Sequence, residues 1–315
     1  MRLSLVIPVH KTNAYRPALE QSLEVAQKKL KDLDLEVVWE EDEQGNGPGW
    51  TRNRAIDRAT GDWIGFVDSD DIVGENWLRD AEEVILRNPD ADIIRMGTQF
   101  DFASDEEIGL ESEPANEAAC SEVVFVGREA RMWALKTYVQ SGWCWLNFIR
   151  RDFLGVKRFP EGLRIKEDNA FFLRLSVFAQ KIVSSKRRGY WYRCRPGSAV
   201  RSARTDSDAL SFIREGLDVE RLWIEESELP RKTVLREFGR LFGWDFVQWS
   251  KERLPMDCKS GDAAAYRAFW QQGIVSGRID WRGVGVAWLP GLFWWLMTAD
   301  LNVQRTIRAV RDKWL

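Results

Sequence analysis

Residues 63–71 read WIGFVDSDD, a short apolar run that ends in three carboxylates within four residues. Residues 3–9 and 35–39 are two further strand-like runs, and segments with helical spacing separate the runs. Strands without alternation of apolar and polar residues, separated by helices, are typical of a parallel sheet covered on both faces. We therefore predict an α/β fold whose binding loops follow Val9, Trp39 and Val67, because ligands bind beyond the carboxyl ends of such strands.

The composition narrows the class of protein. Among 315 residues, 46 basic and 49 acidic side chains nearly cancel, whereas proteins that follow a phosphate backbone usually carry a basic surplus, so we expect no nucleic acid partner. The four cysteines lie far apart without a CxxC pair, which is typical of free thiols in a reducing compartment. The start MRLSLVIPVH is too short for a signal peptide and fits a buried first strand. We expect a cytoplasmic protein.

The acidic cluster after the third strand suggests a metal site. Asp68, Asp70 and Asp71 would repel one another unless a cation neutralises them. Mn²⁺ and Mg²⁺ prefer carboxylate oxygen and usually bind through one or two carboxylates together with substrate phosphates. The alternative is an aspartate that caps the following helix, with two solvated neighbours.

Five segments, in the same order and at similar spacing, resemble the family 2 glycosyltransferases, which have the GT-A fold. They cover about residues 1–205: LVIPVH at 5–10, RNRAI at 52–56, ATGDWIGFVDSDD at 59–71, RFPEG at 158–162 with KEDNAFF at 166–172, and YWYRCRPGS at 190–198. The resemblance implies a nucleotide-diphospho-sugar transferase fold of GT-A type, with a mostly parallel central sheet and helices on both faces.

The expected domain organisation combines this resemblance with a change in pattern. After about Ser207 the chain shows helical spacing of apolar residues, so we expect a helical C-terminal region at 208–315. The GT-A catalytic domain is expected at 1–207, with residues 1–100 as the nucleotide-sugar-binding half and residues 101–207 as the acceptor half.

The resemblance also assigns roles to the carboxylates. Asp68 would contact the ribose or the metal, and Asp70 would ligate the Mn²⁺ or Mg²⁺ that bridges the donor pyrophosphate. Asp168 would be the general base that accepts the proton of the acceptor hydroxyl, with Glu167 beside it. From the residues alone, Glu167 and Asp168 are also compatible with a helix N-terminus whose dipole stabilises them.

Further donor contacts are predicted around these carboxylates. His10, the only histidine, follows the first strand, where the family commonly has an aromatic residue that stacks on the nucleobase. Glu41 lies at the position expected to hold the base edge, but the surrounding EEDE departs from the family pattern and leaves the nucleotide open. Arginines suit phosphate recognition, although a solvated basic edge strand is the alternative at 193–195. The full predicted donor set is Pro8, His10, Glu41, Asp42, Arg52, Asp68, Ser69, Arg193, Arg195 and Ser198.

The C-terminal tail has its own pattern. Residues 283–299 carry no charge and include three tryptophans, and a basic amphipathic segment follows them. This pattern is typical of helices that bind a membrane surface. Packing against the catalytic domain or a second subunit is the alternative, and a true membrane span is a weaker one, since the run is barely long enough.

Together, these residues and the family resemblance predict a metal-dependent glycosyltransferase, and the resemblance implies that the reaction inverts the configuration at the anomeric carbon. It would move a sugar from a nucleotide diphosphate donor, with a UDP-sugar favoured, to a hydroxyl of a glycan or lipid-linked acceptor in bacterial surface polysaccharide synthesis. A homo-oligomer and a peripheral position on the inner face of the membrane are compatible with the sequence. The alternatives are a non-catalytic carbohydrate-binding or assembly subunit and, less favoured because residues 8–13 lack glycine, a sugar nucleotidyltransferase.

Overall fold

The computed structural model describes residues 1–12, 14–98, 100–102, 121–195 and 206–251, without the side chains of 206–210, 213 and 243–251. The predicted donor contact Ser198 and the tail at 283–315 lie outside these residues. The strands are β1 (Arg2–Val9), β2 (Asp34–Glu41), β3 (Trp63–Phe66), β4 (Ile72–Val73), β5 (Ile93–Arg95), β6 (Phe100–Phe102), β7 (Glu122–Val126), β8 (Asn147–Arg150), β9 (Lys181–Ser185) and β10 (Tyr190–Arg193). The helices are α1 (Arg16–Gln27), α2 (Pro48–Arg58), α3 (Trp77–Arg87), α4 (Arg128–Tyr138), a 3-10 helix (Cys144–Leu146), α5 (Arg151–Leu154), α6 (Glu167–Ser176), α7 (Asp206–Glu226) and α8 (Arg231–Lys251).

Seven strands form one large sheet in the order β2-β1-β3-β8-β5-β9-β7. β7 and β8 are antiparallel to their neighbours, and the other five strands run in one direction, which confirms the mostly parallel sheet. Every residue of β3 and of β5 is buried. Because successive side chains of a strand point to opposite faces, this burial means that both faces of the sheet are covered.

In the first hundred residues, the runs predicted as strands at 3–9, at 35–39 and from residue 63 appear as β1, β2 and β3, within a few residues of the expected bounds. The antiparallel entry of β8 between β3 and β5 was not predicted. Gly65 of β3 makes this entry feasible, because a Cβ there would lie 2.8 Å from the Phe148 ring of β8. The glycine therefore leaves room on one face of the sheet for the ring of Phe148, its partner in β8.

The predicted binding loops meet at the carboxyl edge of the large sheet. Val9 is paired with Glu41, and Val6 with Phe66, so β1, β2 and β3 end side by side. β5 runs in the same direction as β3 and ends at this edge with Arg95. A second sheet, β4-β10-β6, begins directly after the acidic cluster. Residues from distant segments are thus brought to one edge.

The described residues divide into two compact units. The first contains those of 1–195 and 214–229, and the second contains 206–213 and 230–251. Within the first unit, Trp223 of α7 donates a hydrogen bond to the Leu173 carbonyl at 2.9 Å. Within the second, the buried Glu237 of α8 accepts hydrogen bonds from Arg236 and Arg240. The functional division at residue 207 stays a prediction.

Candidate functional site

The acidic loop after β3 contains two kinds of carboxylate. Asp68 and Asp70 keep part of their surface exposed, whereas Asp71 is buried. The Asp71 carboxylate accepts the Tyr190 hydroxyl and the Arg193 backbone N–H, both at 2.7 Å. Burial, together with the neighbouring Asp68 and Asp70, raises the pKa of Asp71 well above its ordinary value. Asp71 therefore anchors β10 to the loop, and both of its carboxylate oxygens accept hydrogen bonds from residues of β10.

Asp68 and Ser69 are held by neighbours from other segments. The Asp68 N–H donates to the Tyr190 hydroxyl oxygen at 3.0 Å. Burial raises the pKa of Asp68, and its effect exceeds the opposing one of Arg52. The hydroxyl groups of Ser69 and Thr12 lie 2.6 Å apart, which ties this loop to the loop after β1. The loop is positioned from both sides.

Asp68 and Asp70, both partly exposed, are the two carboxylates that were predicted to hold Mn²⁺ or Mg²⁺. No group of three or more His, Cys, Asp or Glu side chains suited to a metal occurs in the part of the chain that the structure describes. Asp70 Oδ2 accepts a hydrogen bond from Arg195, and Asp68 Oδ1 accepts one from Arg52 at 2.9 Å. Such ions often bind proteins through one or two carboxylates and complete their shell with substrate phosphates and water. The donor set of Asp68 and Asp70 matches that pattern.

Arg52 of α2 joins the acidic loop to α6. Its side chain is 5% exposed, and it donates to Asp68 Oδ1 at 2.9 Å and to Glu167 Oε1 at 2.5 Å. Burial disfavours the guanidinium charge, yet the surrounding negative charges raise the pKa of Arg52 above its ordinary value. Its guanidinium also lies 5.5 Å from the centre of the Phe159 ring. Arg52 therefore lies between the two carboxylate pairs that the sequence singled out.

Glu167 and Asp168 form the first turn of α6. Burial raises the pKa of Glu167 to about 7, although Arg52 acts in the opposite direction. Burial likewise raises the pKa of Asp168, with Arg52 opposing it. Asp168 Oδ1 accepts the N–H of Asn169 at 2.7 Å, and its side chain is partly exposed whereas Glu167 is buried. Of the two, Asp168 is the carboxylate that a ligand can reach.

The predicted phosphate-binding arginines lie against the acidic loop. Arg193 Nε donates to the Asp70 carbonyl at 2.7 Å, and Arg195 Nε donates to the Asp70 carboxylate. Both guanidinium groups lie over the Tyr15 ring, at 4.9 and 5.6 Å. Arg193 is 7% exposed, so it does not belong to a solvated edge strand. The two arginines therefore lie together between Asp70 and the Tyr15 ring, next to the expected position of a pyrophosphate.

Two of the residues predicted to contact the nucleobase, His10 and Asp42, differ in exposure and in their hydrogen bonds. The exposed His10 donates from Nδ1 to the Asp42 carbonyl at 2.9 Å. The Asp42 carboxylate accepts the N–H groups of Asn46 and Gly47 at 2.9 and 2.8 Å. Burial acts to raise the pKa of Asp42, but the hydrogen bonds from these donors have the larger opposite effect. The pKa of Asp42 therefore lies below its ordinary value. Asp42 therefore shapes its own loop beside His10.

Two other members of the predicted donor set lie at the ends of β1 and β2. Glu41 is about half exposed and forms an ion pair with Arg16 at 3.5 Å. Pro8 is half-buried next to Glu40 in the paired strand.

Sequence reasoning missed an aromatic stack beside the site. The Trp145 ring stacks on the rings of Tyr190 and Tyr192, with centroids at 5.7 and 5.4 Å, and on Trp143 at 6.2 Å. Part of this stack is visible in the sequence, because Tyr190 and Tyr192 flank Trp191 just before the two arginines at 193 and 195. The contact with residues 143–145 could not be read from the sequence, since nearly fifty residues separate the two segments.

Known proteins resemble this chain. Residues 5–153 match the family model described as Glycosyl transferase family 2. The poly(ribitol-phosphate) beta-N-acetylglucosaminyltransferase TarS of Staphylococcus aureus is 25% identical over 221 residues, which cover 70% of this chain and 36% of TarS. Glycosyltransferase GlyG of Streptococcus pneumoniae is 29% identical over 199 residues, which cover 60% of this chain and 61% of GlyG. This chain therefore spans only part of the relatives that it matches.

Solved structures share its fold. The crystal structure of S. aureus TarS 1–349 in complex with UDP-GlcNAc superposes with a TM-score of 0.64 at 18% identity, and the match covers 99% of this chain and 92% of that chain.

Proposed function

Because the chain belongs to the family 2 glycosyltransferases and has their GT-A type fold, as predicted, we propose that it transfers a sugar from a nucleoside diphosphate donor to a hydroxyl group. The donor that we propose is a UDP-sugar, and the acceptor is a glycan or a lipid-linked saccharide of a surface polysaccharide. Two observations on other proteins support this. TarS structures contain UDP-GlcNAc and UDP, and a relative from Rhizobium meliloti is named a succinoglycan biosynthesis protein.

One observation carries the proposal: Arg52 links the acidic loop to the first turn of α6. Through its hydrogen bonds to Asp68 and Glu167, a carboxylate pair suited to a metal pyrophosphate lies near a second pair suited to proton transfer. A sugar transfer needs both functions, one at the leaving group and one at the attacking hydroxyl.

In the proposed mechanism, Asp68 and Asp70 would hold Mn²⁺ or Mg²⁺ against the donor pyrophosphate. When bound, the ion neutralises the charge that develops on the departing UDP. Arg195, which now donates to the Asp70 carboxylate, would donate to pyrophosphate oxygens at the same position, with Arg193 beside it. Ser198 would add a further donor from outside the described residues.

Asp168 is the proposed general base. Glu167 is buried against Arg52, whereas Asp168 is partly exposed, and a raised pKa makes a carboxylate a better proton acceptor. As the acceptor oxygen bonds to the anomeric carbon, the bond from that carbon to the UDP oxygen breaks and the hydroxyl proton passes to Asp168. Direct displacement of this kind inverts the configuration at the anomeric carbon.

The remaining donor contacts are proposed at the ends of β1 and β2. His10 would stack on the nucleobase, because its imidazole is exposed and oriented by the Asp42 carbonyl. Asp42 would act by fixing the loop at 42–47. Pro8, Glu41 and Ser69 complete the proposed donor set.

Acceptor delivery at a membrane surface is a separate proposal. No helix in the described ranges is both long enough and apolar enough to cross a bilayer. We propose that the tail at 283–315 makes contact with the inner face of a membrane, with packing against a second subunit as the alternative.

The proposed function is tested by UDP release from UDP-GlcNAc, chosen as the first donor because TarS binds it. Asp168→Asn should lower turnover by about 10²-fold or more while UDP affinity stays unchanged. Asp70→Ala should remove the part of UDP affinity that depends on Mn²⁺, measured by calorimetry. Asp152→Asn changes an aspartate that is 90% exposed and is the matched control.

The outcomes separate the alternatives. Normal turnover in Asp168→Asn would move the base to another residue, with Glu167 as the first candidate. A wild-type chain that binds UDP but releases it from no UDP-sugar would favour the non-catalytic carbohydrate-binding or assembly subunit.

A further inference from the structure

Arg95, the last residue of β5, is a buried arginine at the carboxyl edge of the large sheet. It is 7% exposed and pairs in register with Asn147 of β8. Its Nη2 donates to Ser141 Oγ at 3.0 Å, whereas Nη1 has no hydrogen-bond partner among the described residues. Burying a guanidinium group is costly unless nearby groups compensate its charge. An arginine at this position therefore needs an explanation.

The segment that Arg95 holds is fixed by three further hydrogen bonds. The Tyr138 hydroxyl donates to Asn147 Oδ1 at 2.8 Å, and Asn147 Nδ2 donates to the Trp143 carbonyl at 2.8 Å. Asn169 of α6 donates from Nδ2 to the Tyr138 carbonyl at 2.7 Å. Residues 138–143 are thus tied to both β8 and α6.

Gly142 brings the segment 138–143 into close contact with the backbone of α6. A Cβ at residue 142 would lie 2.4 Å from the backbone nitrogen of Asn169 and 2.7 Å from the carbonyl carbon of Asp168. The backbone at 142 is therefore packed directly against the turn that carries Asp168. Since Ser141 precedes it, the Arg95 hydrogen bond acts one residue away from this contact.

Arg95 also contributes charge near Asp168. Burial lowers the pKa of Arg95, and Tyr138 and then Asp168 oppose this effect. By reciprocity, the guanidinium favours the ionised form of Asp168. The other titratable or charged groups around Asp168 come from α2, the loop after β3, the 3-10 helix and α6 itself: Arg52, Asp68, Cys144, Lys166 and Glu167.

We propose that Arg95 is a positioning residue for the transfer reaction. It fixes Ser141 and Gly142 against the first turn of α6, and it supplies positive charge near Asp168. The inference rests on the proposed role of Asp168 as the base. The charge and the hydrogen bond are two separable contributions, and each has its own variant.

The test measures the pH dependence of kcat for UDP release from UDP-GlcNAc, with UDP affinity by calorimetry and thermal stability recorded alongside. The variants are Arg95→Met, Arg95→Lys and Ser141→Ala. Arg150→Met is the matched control. Arg150 lies at the end of β8 away from Asn147, the partner of Arg95, and it donates a hydrogen bond to Asp92.

Arg95→Met should lower kcat by about 10-fold or more, since small misplacement of a base is costly. The acid limb of its kcat profile should move to higher pH, because the base loses a favourable charge. UDP affinity should stay at the wild-type value. Arg95→Lys should restore the acid limb, and Ser141→Ala should lower kcat without moving it.

Three results would overturn the inference. The first is a folded Arg95→Met variant with wild-type kcat and an unmoved acid limb. The second is a loss of kcat in Arg95→Met that is equal at every pH. The third is an acid limb that moves as far in Arg150→Met as in Arg95→Met. Normal turnover in Asp168→Asn would instead refute the proposed base, and that result is obtained without any change to Arg95.

Discussion

Glu167→Gln tests the balance of burial and ion pairing at the centre of the site. In the folded chain burial raises the pKa of Glu167 to about 7, whereas its ordinary value is 4.5. The folded state therefore binds this proton more tightly than the unfolded state does. The resulting stabilisation is complete below pH 4.5 and is lost as the pH rises to about 7. At about 1.4 kcal/mol per pH unit, the full effect is about 3 kcal/mol.

Glutamine has no proton to lose, so the variant lacks this dependence. The measurement is urea unfolding followed by tryptophan fluorescence, at a series of pH values that brackets both pKa values. The free energy of unfolding of the wild type minus that of the variant should fall by about 3 kcal/mol across the series and then stay constant. Glu129→Gln is the matched control, because Glu129 lies in the first turn of α4 but is exposed.

A difference that rises with pH would refute the reasoning. It would mean that the hydrogen bond from Arg52 outweighs burial and keeps Glu167 ionised in the folded chain. A difference that does not change with pH would mean that the site is more hydrated than its 8% side-chain exposure indicates.

Three further changes test separate parts of the structure. Tyr190→Phe removes the hydroxyl that donates to the buried Asp71 carboxylate, so the free energy of unfolding should fall by about 1–3 kcal/mol in a urea titration. Gly142→Ala places a Cβ 2.4 Å from the Asn169 nitrogen, so the first turn of α6 must move, and turnover should fall while UDP affinity is retained. Removal of 283–315 should abolish co-sedimentation with anionic vesicles, and binding by the full chain should weaken with salt because charge attraction is screened. Absence of binding by the full chain, with misfolding of the shortened one, would identify the tail as part of the protein core or of a subunit interface.

The first half of the fold could be predicted because its information is local. In β1 and β3 the apolar runs, the helical segments between them and the acidic cluster are continuous in sequence. A parallel sheet then brings the loops after these strands to one edge without knowledge of side-chain contacts. For the same reason the loops that carry His10 and Asp68 could be expected at one edge of the sheet.

The remaining features depend on pairs that are distant in sequence. The hydrogen bond between Asp71 and Tyr190 joins residues 119 apart, and the one between Arg52 and Glu167 joins residues 115 apart. No local pattern distinguishes Asp71, which anchors β10, from Asp70, which faces the site. Likewise, the hydrogen bonds that Asp42 accepts from Asn46 and Gly47 depend on the path of its loop, which the residue type does not reveal. The roles assigned to individual site residues therefore stay proposals.

The position of β8 has a consequence for how the chain reaches its native state. β3 is paired with β1 on one side and with β8 on the other, and the eighty residues 67–146 separate β3 from β8 in the chain. During synthesis the backbone groups along one side of β3, and those along the facing side of β5, stay unpaired until residues 147–150 have emerged. Pairing between such distant segments is slow, and an unpaired strand edge invites association with other chains. A fragment ending near residue 100 would keep these strand edges unpaired, so we expect residues 1–100 to aggregate when they are produced alone.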